Sequence, residues 1–158
     1  MKQNSTVKEQ SLNPQPSART QAQSVACTGG DELDERVCTA LHAAGEKKAI
    51  DPVVLDLREI ASFTDYFVIV SGANERQVQA ISDEVYETLK KAGEPAARVE
   101  GYNTAEWILL DYGDFVVHVF EQKARRFYDL ERLWRESKRV ALPPELSGES
   151  SSSLRKES

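Results

Sequence analysis

No apolar run in this 158-residue chain approaches the roughly 20 residues that span a bilayer, so no membrane-spanning helix is expected. The chain does not open with a basic start followed by an apolar block, which argues against a secretory signal and makes a cytoplasmic setting the expectation. Its opening is acid-poor and rich in Ser and Gln, as organelle transit peptides are. With Arg19 as the one arginine among those residues, organelle targeting is the minority alternative. Cysteine is scarce: Cys27 and Cys38 cannot make a disulfide framework, and free thiols are expected. Cys38 and His42 stand four apart and could share a helix face. No CxxC or HxxxH completes the four or so ligands of a zinc site, so no metal is expected.

Motifs of phosphate chemistry are missing as well. Ser71-Gly72 ahead of a helix has the outline of an anion cradle, because helix N-termini present free N–H groups. There is no GxxxxGKS/T and no GxGxxG, and Glu75 puts a negative charge in the first turn, so a plain turn and cap is expected. Metal-dependent nucleotidyl transfer needs two carboxylates, one residue apart on a strand, to hold magnesium. Here Asp56 is alone and Asp111 and Asp114 are split by a turn. His118 lies among Val116, Val117, Val119 and Phe120, with no Ser/His/Asp set in the sequence. It reads as a hydrogen-bonded core histidine rather than a base. No catalytic residue and no cofactor are expected.

What is present is a single domain between two polar tails. Residues 1–30 and 143–158 read as disordered, the second opening on Pro143-Pro144 and running into a serine tract. The domain is placed at 31–142. Helical spacing predicts helices over Leu33–Ala44, Glu75–Lys91 and Ala124–Lys138. In the last of these, Phe127, Leu130, Leu133 and Trp134 share a face expected to pack on the sheet. Strands are predicted over Val53–Leu57, Tyr66–Val70 and Ala97–Val99, followed by a hairpin from Trp107 to Phe120. Its turn, Asp111-Tyr112-Gly113-Asp114, suits the positive φ of tight hairpins, and its arms look central in a sheet covered on both faces. The order α-β-β-α-β-β-β-α gives an α/β or α+β fold, with a mixed sheet of about five strands flanked by helices.

The net charge of −6 is uneven. Residues 31–120 carry 18 acidic and 8 basic side chains, whereas 121–139 carry 7 basic and 4 acidic. An acidic body disfavours nucleic acid as the chief partner, since phosphate binding rests on Lys and Arg. It suits either a basic protein partner or simple solubility. The basic last stretch is a solvated face supported by pairs such as Glu131–Arg135, or an auxiliary RNA contact. Trp107 at the start of the hairpin is either a lid on the core or a binding anchor, and spacing alone leaves both open.

Six segments together decide more: Thr64–Gly72, Arg76–Ile81, Val99-Glu100-Gly101, Ala105–Asp114, Val117–Phe120 and Phe127–Trp134. In order and spacing, from about Leu33 to Arg135, the chain resembles the ribosomal silencing factor family, also called Iojap-like. The resemblance implies a nucleotidyltransferase-like fold without catalytic carboxylates. It also implies a non-enzymatic translation repressor that binds ribosomal protein L-fourteen on the large ribosomal subunit. There it blocks joining of the small subunit; organelle members act in large-subunit maturation. It maps the partner contact onto Trp107, with Glu106, Ile108, Asp111 and Asp114 around it and Asp65 and Tyr66 as further interface positions. The start and turn of the hairpin are thus expected as one working end. A minor rRNA contact through the basic last helix and a homodimer in the free protein complete the expected partners.

Overall fold

A computed structural model of the chain describes residues 34–147. The expected N-terminal tail, and the serine tract of the C-terminal one, lie outside the described residues. Helix α1, Glu35–Glu46, starts where the Asp34 carboxylate accepts the Arg36 N–H at 2.8 Å. Strand β1, Ile50–Asp56, carries a bulge between Ile50 and Val53, with Asp51 at φ 49° and Pro52 within it. Strand β2, Tyr66–Gly72, is buried at all seven positions, as its unbroken apolar run predicts.

Helix α2, Glu75–Lys91, begins with the predicted cap. Asn74 accepts the Gln77 N–H at 2.9 Å, and Gln77 reaches back to accept the Ala73 N–H at 2.7 Å. Strands β3, Arg98–Glu100, β4, Trp107–Asp111, and β5, Phe115–Glu121, follow. The β4–β5 turn forms as predicted: Gly113 sits at φ 88° and donates its N–H to the Asp111 carboxylate at 2.9 Å.

The sheet has six strands in the order β3-β4-β5-β2-β1-β6, where β6 is Lys138–Arg139. Only β2 and β5 pair in parallel, at the centre; the other pairings are antiparallel. Strand β3 therefore runs parallel to β2 but is separated from it by two strands, β4 and β5. One face of the sheet, with Val68, Val70, Ile108, Leu110, Val117 and Val119, is packed under α1 and α2. The other, with Leu55, Phe67, Ile69, Val116 and Phe120, has a much thinner roof from Ala124, Leu130 and Trp134.

Three expectations are corrected. The last helix is not continuous over Ala124–Lys138. It divides into α3, Gln122–Tyr128, and α4, Leu130–Leu133, around Asp129, which is left-handed at φ 51°, ψ 54°. Asp tolerates that conformation, so no glycine announces the break. Residues assigned to the C-terminal tail form α5, Pro144–Ser147, with Leu146 buried in the main core. Cys38 is buried and disulfide-bonded rather than a free thiol; Cys27 lies outside the described residues.

Candidate partner-binding face

Strand period places Trp107 on the thinly roofed face. Along β4, Ile108 and Leu110 point into the main core, while Trp107, Leu109 and Asp111 alternate onto the other side and are half-buried. The loop that delivers Trp107 is tight: Gly101 lies at φ 80° and Ala105 at φ 58°. A Cβ on Gly101 would run into the Trp107 carbonyl oxygen.

The indole stacks on Phe120 with ring centroids 4.9 Å apart and meets Tyr128 at 4.7 Å. Its Nε1–H donates to His118 Nδ1 at 3.0 Å. His118 meets Phe67 edge to face at 4.4 Å, and Phe67 in turn contacts Trp134 and Phe63. A continuous aromatic array thus crosses the face. Its rim is open: Phe127 is 80% exposed, Leu133 70% and Phe63 61%. The expected apolar stripe of the last helix accordingly splits, with Leu130 and Trp134 packing on the sheet and Phe127 and Leu133 facing outward. Scattered exposed apolar residues are ordinary, but several beside one aromatic array are the mark of an interaction surface.

The sequence-assigned site residues do not form one cluster. Glu106, exposed, and Trp107 stand at the start of β4. Asp111 and Asp114 stand at its other end, about 13 Å away at the usual rise per strand residue. Asp65 and Tyr66 join that far end, where both backbone N–H groups donate to the Asp114 carbonyl at 2.8 and 3.3 Å. There the acidic groups already have cations: Arg36 binds Asp114 at 2.9 Å and Arg98 binds Asp111 at 3.3 Å. Tyr66 is buried, which raises its hydroxyl above the usual range, and the Arg58 guanidinium lies over its ring at 5.4 Å. Ile108 is fully buried in the main core and offers no surface to a partner. His118, Tyr128, Phe127 and Phe63 also belong to the face, beyond the positions the resemblance names; the two-residue period linking Trp107 to its diagonal neighbour His118 is the sequence signal for the first of them.

The Ser71-Gly72 turn is occupied by the fold itself. Arg125 Nη1 donates to Ser71 Oγ at 2.8 Å and to the Asp51 carbonyl at 2.8 Å, while its other nitrogens grip Glu131 at 2.9 and 3.2 Å. A Cβ on Gly72 would meet the Val78 backbone nitrogen at 3.0 Å, so that glycine serves close packing of β2 on α2. Glu131 pairs with Arg125 and Arg139, not with Arg135 as helical spacing suggested. Burial pushes Glu131 up, but Arg125 outweighs it and holds the carboxyl below its ordinary range. Lys123, Arg126, Arg132 and Arg135 remain exposed beside Phe127 and Leu133. Among the described residues no group of three or more His, Cys, Asp or Glu could hold a metal ion, and no helix is long and apolar enough to cross a membrane.

A mixed sheet with two helices on one face and an open aromatic array on the other defines a fold of α+β class. The family described as ribosomal silencing factor during starvation matches residues 30–158. Ribosomal silencing factor RsfS of Halalkalibacterium halodurans is 42% identical over 103 residues, 65% of this chain and 88% of that one. The Bacillus subtilis protein of the same name is 41% identical over 95 residues, 60% and 80% of the two chains. A crystal structure of a Chromobacterium violaceum protein superposes with a TM-score of 0.64 at 33% identity, covering 71% of this chain and 92% of that one. The chain belongs to the ribosomal silencing factor family.

Proposed function

We propose that this protein silences ribosomes by binding the large subunit through ribosomal protein L-fourteen, so that the small subunit cannot join. Family membership supports the ribosome as target, and the observation that carries the rest is Trp107. It is a half-buried indole, fixed by a hydrogen bond and backed by buried Phe120, on a face whose rim aromatics Tyr128 and Phe127 are exposed. Tryptophans in such settings are the side chains that most often dominate an interface. An interface of standard size, about 800 Å² per partner, is large enough to obstruct a subunit surface.

The working end is the Trp107 end of β4, with Glu106 beside it. Asp111 lies about 13 Å away along β4, with Asp114, Asp65 and Tyr66 at the same far end, and these act there only if the partner spans the sheet. The exposed cations Lys123, Arg126, Arg132 and Arg135 supply an auxiliary contact to rRNA. A homodimer of the free protein would bury the same apolar rim and compete with the ribosome. In this reading the protein acts in the cytoplasm, as a binding protein and not as an enzyme. Large-subunit maturation is the second reading.

Light scattering of purified subunits tests the proposal. Pre-incubating large subunits with the protein should suppress formation of joined ribosomes in proportion to occupancy. Pre-incubating small subunits instead should leave joining unchanged. Undiminished joining at saturating occupancy of the large subunit would overturn the blocking mechanism.

A further inference from the structure

We propose that His118 is a positioning residue for partner binding: its Nδ1 lone pair holds the Trp107 indole in one orientation and so presets the aromatic face. This role rests on Trp107 being the anchor of the proposed interface.

An indole N–H can only donate, so the 3.0 Å contact requires an unprotonated Nδ1. The imidazole proton then sits on Nε2. That atom is buried without a hydrogen-bond partner among the described residues. His118 is 3% exposed and flanked along β5 by Val117 and Val119, which serve the opposite core. On its own face it is packed against Phe67, Trp107 and Phe120. A leucine would fill such a site without leaving a buried donor unpaired, which ordinarily has a free-energy cost. What a leucine could not do is accept from Trp107.

The other neighbours of the indole, Phe120 and Tyr128, supply contact area but little direction. The outer edge of Trp107 is only half-covered, so without an acceptor its two side-chain torsions would be set by stacking alone. Ordering one rotamer-rich side chain on binding lowers affinity by roughly two- to tenfold, and a preset indole avoids that loss.

The test uses the full chain, uniformly labelled with nitrogen-15, together with purified large subunits. Long-range proton–nitrogen spectra of the wild type should show His118 neutral with its proton on Nε2; a proton on Nδ1 would refute the proposal with no variant needed. His118→Leu should keep a cooperative melt yet accelerate solvent exchange of the Trp107 indole N–H. It should also weaken large-subunit binding by roughly two- to tenfold. His118→Gln, which retains an acceptor, should recover part of both. In a Trp107→Phe background, His118→Leu should have no further effect on binding. Unchanged indole exchange, or an equal loss of binding in the Trp107→Phe background, would reduce His118 to a filler of the core and overturn the proposal. If Trp107→Phe and Trp107→Ala both bind like wild type, the anchor reading fails instead, and the exchange measurement still decides whether His118 orients the indole.

Discussion

Trp107 and His118 sit on neighbouring antiparallel strands, diagonal in register because Leu109 lies directly opposite His118, and they are joined by an indole-to-imidazole hydrogen bond of 3.0 Å. Burial among aromatic rings pushes the His118 imidazole down from 6.5 to about 3. Between those values the unfolded chain binds a proton that the fold refuses. Stability is therefore intact above pH 6.5 and falls as pH drops towards 3, by up to about 1.4 kcal/mol per pH unit. Arg58 holds Asp56 below its ordinary range, and Arg36 does the same for Asp34 against the opposing effect of burial. The stability these carboxylates add is lost at lower pH, as they protonate below about 4. Urea melts from pH 6.5 to 5 should thus show a slope that His118→Leu flattens. An identical slope in the variant would rule out this histidine as its source.

Arg125 is the staple of the open face. Its guanidinium satisfies two carbonyls of the β1 bulge, the Ser71 hydroxyl and the Glu131 carboxylate. Arg125→Met leaves those groups without their donor and should cost about 2–3 kcal/mol in urea denaturation. Adding Glu131→Leu should return part of that loss, because it removes a half-buried carboxylate that the first change leaves with only the exposed Arg139 as partner.

Gly101 and Gly113 form a matched pair of tests. Both have positive φ, but a Cβ on Gly113 meets nothing within 4 Å, whereas one on Gly101 overlaps the Trp107 carbonyl. Gly113→Ala should cost about 1 kcal/mol, the strain of a left-handed alanine. Gly101→Ala should cost more than about 2 kcal/mol and alter Trp107 fluorescence, since the start of β4 must move. Equal costs would show that the loop absorbs the clash.

Phe127 separates stability from binding. Being 80% exposed, it should tolerate Phe127→Ala within about 0.5 kcal/mol in a thermal melt. Large-subunit affinity should still fall if the open rim touches the partner. Unchanged affinity would confine the contact to Trp107 and its immediate neighbours.

Much of this fold is legible in the residues. The apolar run at Tyr66–Val70, the Asn74/Gln77 cap and the Asp111–Asp114 turn each carry a local signal strong enough to act alone. Asp129 carries none: it is left-handed between Arg125 and Glu131, whose ion pair spans the break and is not marked by any turn residue in the sequence. Strand β6 is two residues long and pairs with Leu55 and Asp56, so it has no period to read. At the candidate site, the resemblance names Trp107, and the two-residue period of β4 puts it on the open face. Asp111 and Asp114 are separated from it by the length of β4, and the two-residue period turns Ile108 to the opposite face.

Trp107, in the function proposed above, anchors the protein to the large subunit. Co-sedimentation of Trp107→Ala with purified large subunits tests it most directly, with circular dichroism and a cooperative melt confirming that the variant is folded. The variant should lose at least about 2 kcal/mol of binding, roughly thirtyfold in affinity. A folded variant that sediments with large subunits as fully as wild type would contradict it.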